Sequence, residues 1–321
     1  MRASLSRSVL GAAAMIRALS IRALSLPGQA PSAVPDRIGA GRSSEVFAAG
    51  PDRVVKLYRQ PFEPEAVANE WAASRLAHGF GLPVPKALGI IRRTERTGIL
   101  FARLDGSPMT VRYAYNPVGL MMALRRVARI QHAIHACPAP GLPSQHDGLR
   151  AQIEGARVPE PLRQAALAAL DRLPRGDRLC HGDVHPGNVI ATSAGLRLID
   201  WQKAAAGDPA ADVARSELVL RYGKLGPAWF SRLRPVRMAR RLIAAWYVQA
   251  YHAASGLPRE AIAAWRLPVA VSRLFGRPSD TDAELLAAIE KLARKKPDLE
   301  KASLFAGPGQ SPGRGQPKRF L

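Results

Sequence analysis

The chain of 321 residues contains only two cysteines, Cys137 and Cys180. Two cysteines cannot form the disulfide framework that stabilises small secreted proteins, so we expect a reducing compartment. No apolar run reaches the roughly 18 residues of a membrane-spanning helix, and none is predicted. Both absences favour a cytoplasmic protein. Hydrophobic residues make up 47% of the chain, which is enough to bury a sizeable core.

Acidic residues are also scarce. The chain has 47 Lys and Arg against 25 Asp and Glu, a formal net charge of +22 that attracts anions such as nucleotide phosphates and nucleic acid. Aromatic residues are few, at 6%, and the sequence has neither a zinc-finger spacing nor an aromatic RNA-binding strand motif. We therefore expect no specific nucleic-acid partner, with a basic nucleic-acid-binding protein as an alternative.

The two ends of the chain differ from the middle. Residues 1–35 contain four arginines and no acid, and the first acidic residue is Asp36. An acid-poor leader with Ser and Arg is typical of an organelle transit peptide, and the alternative is a start placed too early, with Met15 or a later codon as the true one. Residues 296–321 form a basic Gly/Pro-rich tail that we expect to be disordered. Neither end is expected to carry the function.

Two kinds of periodicity divide the middle of the chain. Residues 36–103 contain short β-type segments, a Gly50-Pro51-Asp52 turn and one helix that begins at Pro64. Residues 104–295 have mainly helical spacing, interrupted near position 194 by two short strands. The predicted fold class is therefore α+β, with a small β-rich N-terminal lobe and a larger α-helical C-terminal lobe.

The segment His-Gly-Asp-Val-His-Pro-Gly-Asn at positions 181–188 is the most informative. An Asp and an Asn five residues apart on such a loop suit two tasks, because Asp183 can deprotonate a hydroxyl and Asn188 can offer an oxygen to Mg²⁺. Asp200 follows at the end of an apolar strand and would bring a carboxylate to the same metal. This set indicates phosphoryl transfer, which depends mainly on placed charges.

These residues resemble the aminoglycoside phosphotransferase and choline kinase family, which is similar in fold to protein kinases. The resemblance rests on HGDVHPGN (181–188), Leu-Ile-Asp-Trp (198–201) and Gly-Asp-Pro-Ala-Ala-Asp-Val-Ala (207–214), and extends over roughly residues 36–290. It implies that Asp183 is the catalytic base, that Asn188 and Asp200 bind Mg²⁺, and that ATP is the donor. The implied fold is a two-lobe, protein-kinase-like fold.

The resemblance assigns two supporting roles as well. His181 is implied to hold the catalytic loop, and Asp208 to brace the active-site loops. The chain departs from many family members at Gln202, where they carry a second acid after the Trp.

The N-terminal lobe is expected to contact the nucleotide. Its candidate phosphate-binding turn includes four small residues whose backbone amides could approach phosphate: Gly39, Gly41, Ser43 and Ser44. Lys56 lies on a predicted strand among apolar neighbours, and Glu70 lies beside the apolar stripe of the next helix. Because either charge alone would be costly to bury, the two are expected to pair, and the alternative is that both face solvent. By resemblance, the backbone from Ala102 to Leu104 receives the adenine edge.

The acceptor is predicted to be a small molecule. Only seven residues separate Asp200 from Asp208, which leaves no room for the long segment that docks peptides in protein kinases. From Leu218 to Arg259 there is no acid, while the basic residues include Arg221, Lys224, Arg232, Arg234, Arg237, Arg240 and Arg241. Because like charges repel a polycationic drug, a neutral or anionic alcohol is the expected acceptor.

Two alternatives stay open on the sequence alone. Four aromatic residues are expected to be mostly core, and the alternative is a cage for a quaternary ammonium: Trp246, Tyr247, Tyr251 and Trp265. A nucleotide-binding regulator that no longer catalyses is the alternative to a small-molecule kinase, although an intact catalytic set argues against it.

Overall fold

A computed structural model of the chain describes residues 36–41, 43–61, 64–93, 95–223, 233–276 and 283–294. The predicted leader (1–35) and tail (296–321) lie outside these ranges, as do Lys224 and Arg232 of the basic stretch. The boundaries proposed for these segments and for the two lobes stay predictions.

The N-terminal lobe is built on an antiparallel sheet with the strand order β1-β2-β3-β5-β4. Its strands are β1 (Arg37–Ala40), β2 (Ser44–Ala48), β3 (Arg53–Tyr58), β4 (Ala87–Arg93) and β5 (Arg96–Ala102). Strand β3 lies in the centre, where Lys56 pairs with Val46 on one side and Ile99 on the other. A central strand has neighbours on both edges, so its side chains are the best fixed in the sheet.

Helix α1 (Pro64–Gly79) covers one face of this sheet. Its buried Val67 and Trp71 pack against Tyr58 and Ile99 in one apolar cluster, while Val55 and Leu57 belong to a second cluster on the opposite face. Since side chains alternate along a strand, Lys56 shares the helix-facing side with Tyr58. The helix residue Glu70, which is buried, lies on the same side of the sheet.

The larger lobe is mainly helical. Its helices are α2 (Met109–Arg112), α3 (Pro117–His135), α4 (Gln145–Glu154), α5 (Glu160–Leu170), α6 (Pro209–Tyr222), α7 (Arg234–Ser255), α8 (Arg259–Ala264), α9 (Arg266–Ser272) and α10 (Ala283–Arg294). They enclose one large apolar cluster whose most voluminous members include Trp201, Tyr247 and Trp265. None of the described helices has both the length and the apolar character needed to cross a membrane.

Short strands on top of the helical lobe hold its loops. Strand β6 (Gly106–Pro108) pairs with β8 (Val189–Thr192), which pairs with β9 (Gly195–Leu198). Strand β7 (Arg178–Cys180) pairs with β10 (Ala205–Gly207). The segment with the H-G-D sequence leaves β7 and returns to β8, so two small sheets anchor its ends.

The α+β, two-lobe, protein-kinase-like architecture predicted from the sequence is confirmed. The predicted helix begins at Pro64 as expected, and the turn at Gly50-Pro51-Asp52 lies between β2 and β3. Three short strands, β6, β7 and β10, were not predicted, nor were helices α2, α4 and α9. A three-residue strand such as Ala205–Gly207 has too few residues to carry a periodic pattern, so only its pairing partner reveals it.

Candidate active site

A lysine and two carboxylates meet where the sheet faces the helical lobe. The Nζ of Lys56 lies 2.7 and 2.8 Å from the two carboxylate oxygens of Glu70 and 2.6 Å from Oδ1 of Asp200. The Tyr58 hydroxyl also donates to Glu70. Burial acts to lower the pKa of Lys56, but the charges of Glu70 and Asp200 raise it above its usual value. Lys56 is therefore a fixed cation that joins the two lobes.

His181 links the loop of Asp183 to the segment of Asp200. Its Nδ1 accepts from the Asp183 backbone amide at 3.2 Å, and its Nε2 lies 3.1 Å from the Ile199 carbonyl. Because Nδ1 accepts, the ring must be neutral with its proton on Nε2, which donates to that carbonyl. Burial lowers the pKa of His181 and favours this neutral form. The ring also makes an edge contact with Trp201, with centroids 4.6 Å apart.

Asn188 lies beside the segment that carries Asp200. The Ile199 amide donates to the Asn188 carbonyl at 2.9 Å, and the Asn188 side-chain Nδ2 donates to the Asp183 carbonyl at 3.0 Å. With its nitrogen bound to the loop, the side-chain oxygen of Asn188 remains for another partner. An amide oxygen and the Asp200 carboxylate, brought together in this way, are a donor set that fits Mg²⁺.

The backbone at Asp200 is unusual. Its φ of 68° lies in the left-handed region, where it is the only residue other than glycine among those the structure describes. Asp is one of the few side chains found in this region with some frequency, and such conformations concentrate at functional sites. The Lys56 charge holds the pKa of Asp200 below its usual value despite burial, which keeps the carboxylate ionised.

A second buried carboxylate, that of Asp212 on α6, holds the loop from below. Its Oδ1 accepts from the Gly182 amide at 2.7 Å, and its Oδ2 accepts from the His181 amide at 3.2 Å. Two side chains of α3 also donate to Oδ2, Gln131 at 2.9 Å and His135 at 3.1 Å. Burial would raise the pKa of Asp212, but these donors lower it well below the usual carboxyl range. Four donors therefore fix the carboxylate and, through it, the loop.

Lys203 contacts the candidate base directly. Its Nζ lies 2.5 Å from Oδ2 of Asp183, while half of the lysine side chain stays exposed. Although burial opposes it, the charges of Lys203 and Arg215 lower the pKa of Asp183 below its usual value. The backbone of Lys203 also approaches Gly182 closely, since a Cβ on Gly182 would lie 2.3 Å from the Lys203 carbonyl oxygen. The Asp183 carboxylate is thus ionised and has a cation beside it.

Comparison with known proteins identifies the family of the chain. The sequence model of the phosphotransferase enzyme family matches residues 36–257, more than half of the chain. The chain belongs to the phosphotransferase enzyme family. Thiamine kinase of Salmonella heidelberg (strain SL476) is 38% identical over 96 residues, which are 28% of this chain and 35% of that kinase. The chain thus aligns with about a third of the length of this curated relative.

Solved structures share the fold of this chain. A choline/ethanolamine kinase family protein from Mesorhizobium loti superimposes with a TM-score of 0.58 and 16% identity, covering 90% of this chain and 95% of that one. A thermostable mutant of aminoglycoside phosphotransferase APH(4)-Ia, in a ternary complex with ADP and hygromycin B, gives a TM-score of 0.54 and 17% identity, covering 87% and 95%. At such identities the likeness concerns the fold alone.

The turn expected to face phosphate reaches the helical lobe. Gly39 lies in β1, the Gly41 amide donates to the Ser44 carbonyl at 2.8 Å, and Ser44 begins β2. The Ser43 hydroxyl donates to the side-chain oxygen of Gln202 at 3.0 Å. Gln202 therefore connects this turn to the segment that follows Asp200.

The remaining predicted residues occupy different surroundings. The Asp208 carboxylate accepts from the Ala210 amide at 2.7 Å and caps α6, so it supports the helix, while the loop itself is held by Asp212. Between the lobes, the Ala102 amide donates to the Lys86 carbonyl at 2.9 Å. That amide already donates a hydrogen bond, so it is not available to adenine. The backbone groups predicted to contact adenine are then the carbonyls and the amide of Leu104.

The aromatic group expected to be core is mostly so. Tyr247, Tyr251 and Trp265 are buried, and the two tyrosines hydrogen-bond to Gln131 and His135 of α3. Trp246 is more exposed, and its ring nitrogen donates to the Met121 carbonyl at 3.2 Å. Since the three buried rings pack into the helical lobe, they do not form a cage open to a ligand.

The sequence interpretation missed Asp212 and Lys203. Asp212 stands four residues after Asp208 within the segment that begins Gly-Asp-Pro, so a second acid on the same helix was visible in the sequence. The sequence did not show in which direction its side chain points. No motif of the sequence singles out Lys203, two residues after Trp201. Only the fold brings its ammonium to Asp183.

Proposed function

We propose that the chain transfers the γ-phosphate of ATP to a hydroxyl group of a small molecule, with Asp183 as the general base. The observation that carries this proposal is the convergence of Asp183 and Asp200 through His181, beneath the Lys56–Glu70 pair. A base, a metal-binding carboxylate and a phosphate-binding cation in one cleft are the parts that phosphoryl transfer requires.

The ionised Asp183 accepts the proton of the acceptor hydroxyl as its oxygen attacks phosphorus. Lys203, 2.5 Å away, keeps the carboxylate oriented and reduces its repulsion of the incoming phosphate charge. Lys56 binds the phosphates of the nucleotide, and Glu70 keeps the lysine in position. Asn188 and Asp200 would hold Mg²⁺, which supplies charge neutralisation at the phosphates when bound.

The short connection between Asp200 and Asp208 supports a small acceptor. After Trp201, the chain enters β10, and the Asp208 amide then donates to the Gln145 side chain at 3.0 Å. A connection pinned in this way offers no extended segment for docking a peptide. The acceptor is therefore a small alcohol rather than a protein side chain.

The charge of the helical lobe supports a neutral or anionic acceptor. Among the described residues from Leu218 to Arg259 there are several cations and no carboxylate side chain. An aminoglycoside carries several positive charges and would be repelled. Thiamine, on which the Salmonella relative is named to act, is an alcohol with one positive charge, and it belongs in the test as the cationic acceptor.

An acceptor screen tests the proposal. The full chain with Mg-ATP is incubated with a neutral sugar, a hydroxy acid, thiamine, choline and an aminoglycoside, and phosphorylated product is detected by mass spectrometry alongside ADP release. We expect transfer to the neutral or anionic alcohols and none to the aminoglycoside. Preferred transfer to the aminoglycoside would contradict the acceptor class, and ADP release without any phosphorylated product would contradict transfer.

Metal binding is tested separately with Asp200→Ala. We expect Mg-ATP affinity, measured by calorimetry, to fall by about a hundredfold because a direct ligand is lost. Asp177→Ala is the matched control, since the side chain of Asp177 is 84% exposed and pairs with its neighbour Arg178. Equal Mg-ATP affinities for the two variants would exclude Asp200 as a ligand.

We also propose a reducing compartment, such as the cytoplasm. Cys137 and Cys180 are both free thiols, and burial raises the pKa of each. A thiol with a raised pKa is a poor nucleophile, so both cysteines have a packing role.

A further inference from the structure

The helical lobe contains a cavity of about 480 Å³ between α6, α7, α9 and α10. This volume lies within the range of binding sites for small organic molecules. None of the residues assigned above to catalysis, metal or nucleotide is among the described residues that line it. Helix α6 connects the two sites, because one part of it carries Asp212 and another part, from Ala214 to Tyr222, lines the cavity.

The lining of the cavity has an excess of positive charge. Five of its side chains are cationic and two are acidic, so the lining carries a net charge of +3 at neutral pH. The cationic residues are Arg221, Arg237, Arg241, Arg266 and Lys291, and the acidic residues are Glu217 and Glu284. An excess of this size in one concave surface concentrates anions there.

Internal ion pairs do not remove the excess. The buried Glu217 is shared by two guanidinium groups, with Arg221 at 3.2 Å and Arg266 at 2.8 Å. Glu284 pairs with Arg237 at 2.9 Å. Among the described residues, Arg241 and Lys291 have no carboxylate partner. The carboxylate shared by two guanidinium groups leaves one positive charge in excess. Arg241 and Lys291 add the other two, which gives the net charge of +3.

The rest of the lining is apolar. Ala214 and Leu218 of α6 face Ala270 of α9 and Leu292 of α10 across the cavity. A ligand that fits must therefore combine an apolar body with an anionic group. Guanidinium groups bind phosphate and carboxylate oxygens in pairs, which makes either group suitable.

We infer that this cavity binds a small organic anion that carries a phosphate or a carboxylate group on an apolar body. Arg241 and Lys291 bind the anionic group, and the pairs around Glu217 hold Arg221 and Arg266 in place. The inference concerns binding and holds whether or not the interlobe site transfers phosphate.

Binding is measured by calorimetry with four ring compounds that differ in charge: phenyl phosphate, benzoate, benzyl alcohol and phenyltrimethylammonium. The full chain is saturated with Mg-ADP, so that the interlobe cleft is occupied. We expect phenyl phosphate to bind about tenfold or more tightly than benzyl alcohol, benzoate to lie between them, and the cation to bind weakest. Raising the salt concentration should weaken phenyl phosphate binding and leave benzyl alcohol unaffected.

Three variants test the location. The double variant Arg241→Gln/Lys291→Gln should lower phenyl phosphate affinity by about tenfold, because two charge-assisted hydrogen bonds are lost. Glu284→Gln should raise it a few-fold by releasing Arg237, a direction that a folding defect cannot imitate. Arg234→Gln, an exposed position of α7 outside the cavity lining, is the matched control and should leave the affinity unchanged.

Several results would overturn the inference: equal affinity for phenyl phosphate and benzyl alcohol, tighter binding of the cation, or a double variant indistinguishable from Arg234→Gln. Asp183→Asn should bind phenyl phosphate as the parent does. Transfer and phenyl phosphate binding are measured separately in this variant. The transfer result therefore bears on the proposed reaction, and the binding result bears on the cavity.

Discussion

The interlobe centre and the cavity of the helical lobe hold charge in opposite ways. In the centre, each cation faces a carboxylate at close range, as Lys56 does with Glu70 and Asp200 and as Lys203 does with Asp183. In the cavity, cations outnumber carboxylates, and among the residues that the structure describes Arg241 and Lys291 pair with no carboxylate. Paired charges fix the geometry of side chains for a reaction, whereas a cation without a carboxylate partner is available to bind an anionic ligand. The contrast separates a site built to position groups from a site built to attract an anion.

The two regions also differ in how their parts are distributed along the chain. The centre draws Asp183 and Asp200 from two short segments joined by backbone hydrogen bonds, such as the bond from the Ile199 amide to the Asn188 carbonyl. The cavity is lined by side chains from four separate helices. A substitution in the centre should therefore disturb a network, while one in the cavity should change a local charge.

The largest effect is expected from Asp183→Asn. Loss of the base should lower the transfer rate by about a thousandfold, because general-base catalysis contributes effects of that order. Mg-ATP affinity, measured by calorimetry, should stay within a few-fold of the parent. Asp177→Asn is the control on an exposed acid and should keep the full rate. If Asp183→Asn kept the parent rate on an identified acceptor, the base would have to be another group.

Asp212→Asn should lower the free energy of unfolding by about 3 kcal/mol. The amide has one acceptor oxygen, so it cannot accept hydrogen bonds from all four donors that surround the carboxylate. Asp208→Asn on the same helix is the matched control, and should have little effect because Asn caps helices as well as Asp does. Urea denaturation measures both changes.

The pH dependence of the Asp212 effect has a definite sign. The folded state lowers the pKa of Asp212 below the ordinary value of 3.8. The stabilisation is therefore fully present above that value and is lost as the pH falls through the folded pKa. The stability gap between the parent and Asp212→Asn should narrow at pH values below 3.8 and stay constant above it. A gap that did not change on acidification would contradict the assignment.

Lys203→Met should lower kcat by about tenfold, since one exposed cation near the transferred phosphate is removed. Removal of the lysine charge should also raise the pKa of Asp183, so that the acidic limb of the kcat/KM profile moves to higher pH. Lys203→Arg keeps the charge and should restore the parent profile. A lower kcat with an unmoved acidic limb would mean that Lys203 acts only through packing.

Ser43→Ala should have the smallest effect. The hydroxyl makes one part-buried hydrogen bond to Gln202, worth about 1 kcal/mol, so KM for Mg-ATP should rise by about fivefold. Gln202→Ala removes the same bond from the other side. The double variant should therefore be no worse than either single variant, and additive effects would show that the two residues act independently.

Much of the fold followed from local patterns. The helical spacing of Leu120, Leu124 and Val127 predicted α3, and the turn at Gly50 separated β2 from β3. Three-residue strands such as Arg178–Cys180 carry no period of their own, because their hydrogen bonds go to distant residues. Helix α4, with its polar sequence and many exposed residues, lacks a strong apolar stripe and was missed for that reason.

The sequence by itself determined which chemical groups are present and their order: a lysine on a strand, an H-G-D loop with an Asn five residues after the Asp, and an Asp after an apolar strand. These are recognisable because each lies in a short segment whose residues act together. The tertiary structure decided which distant groups meet: Lys203 with Asp183, Asp212 with the His181 and Gly182 amides, and cations from four helices around one cavity. Such contacts depend on the direction of each side chain after packing, which sequence spacing does not record.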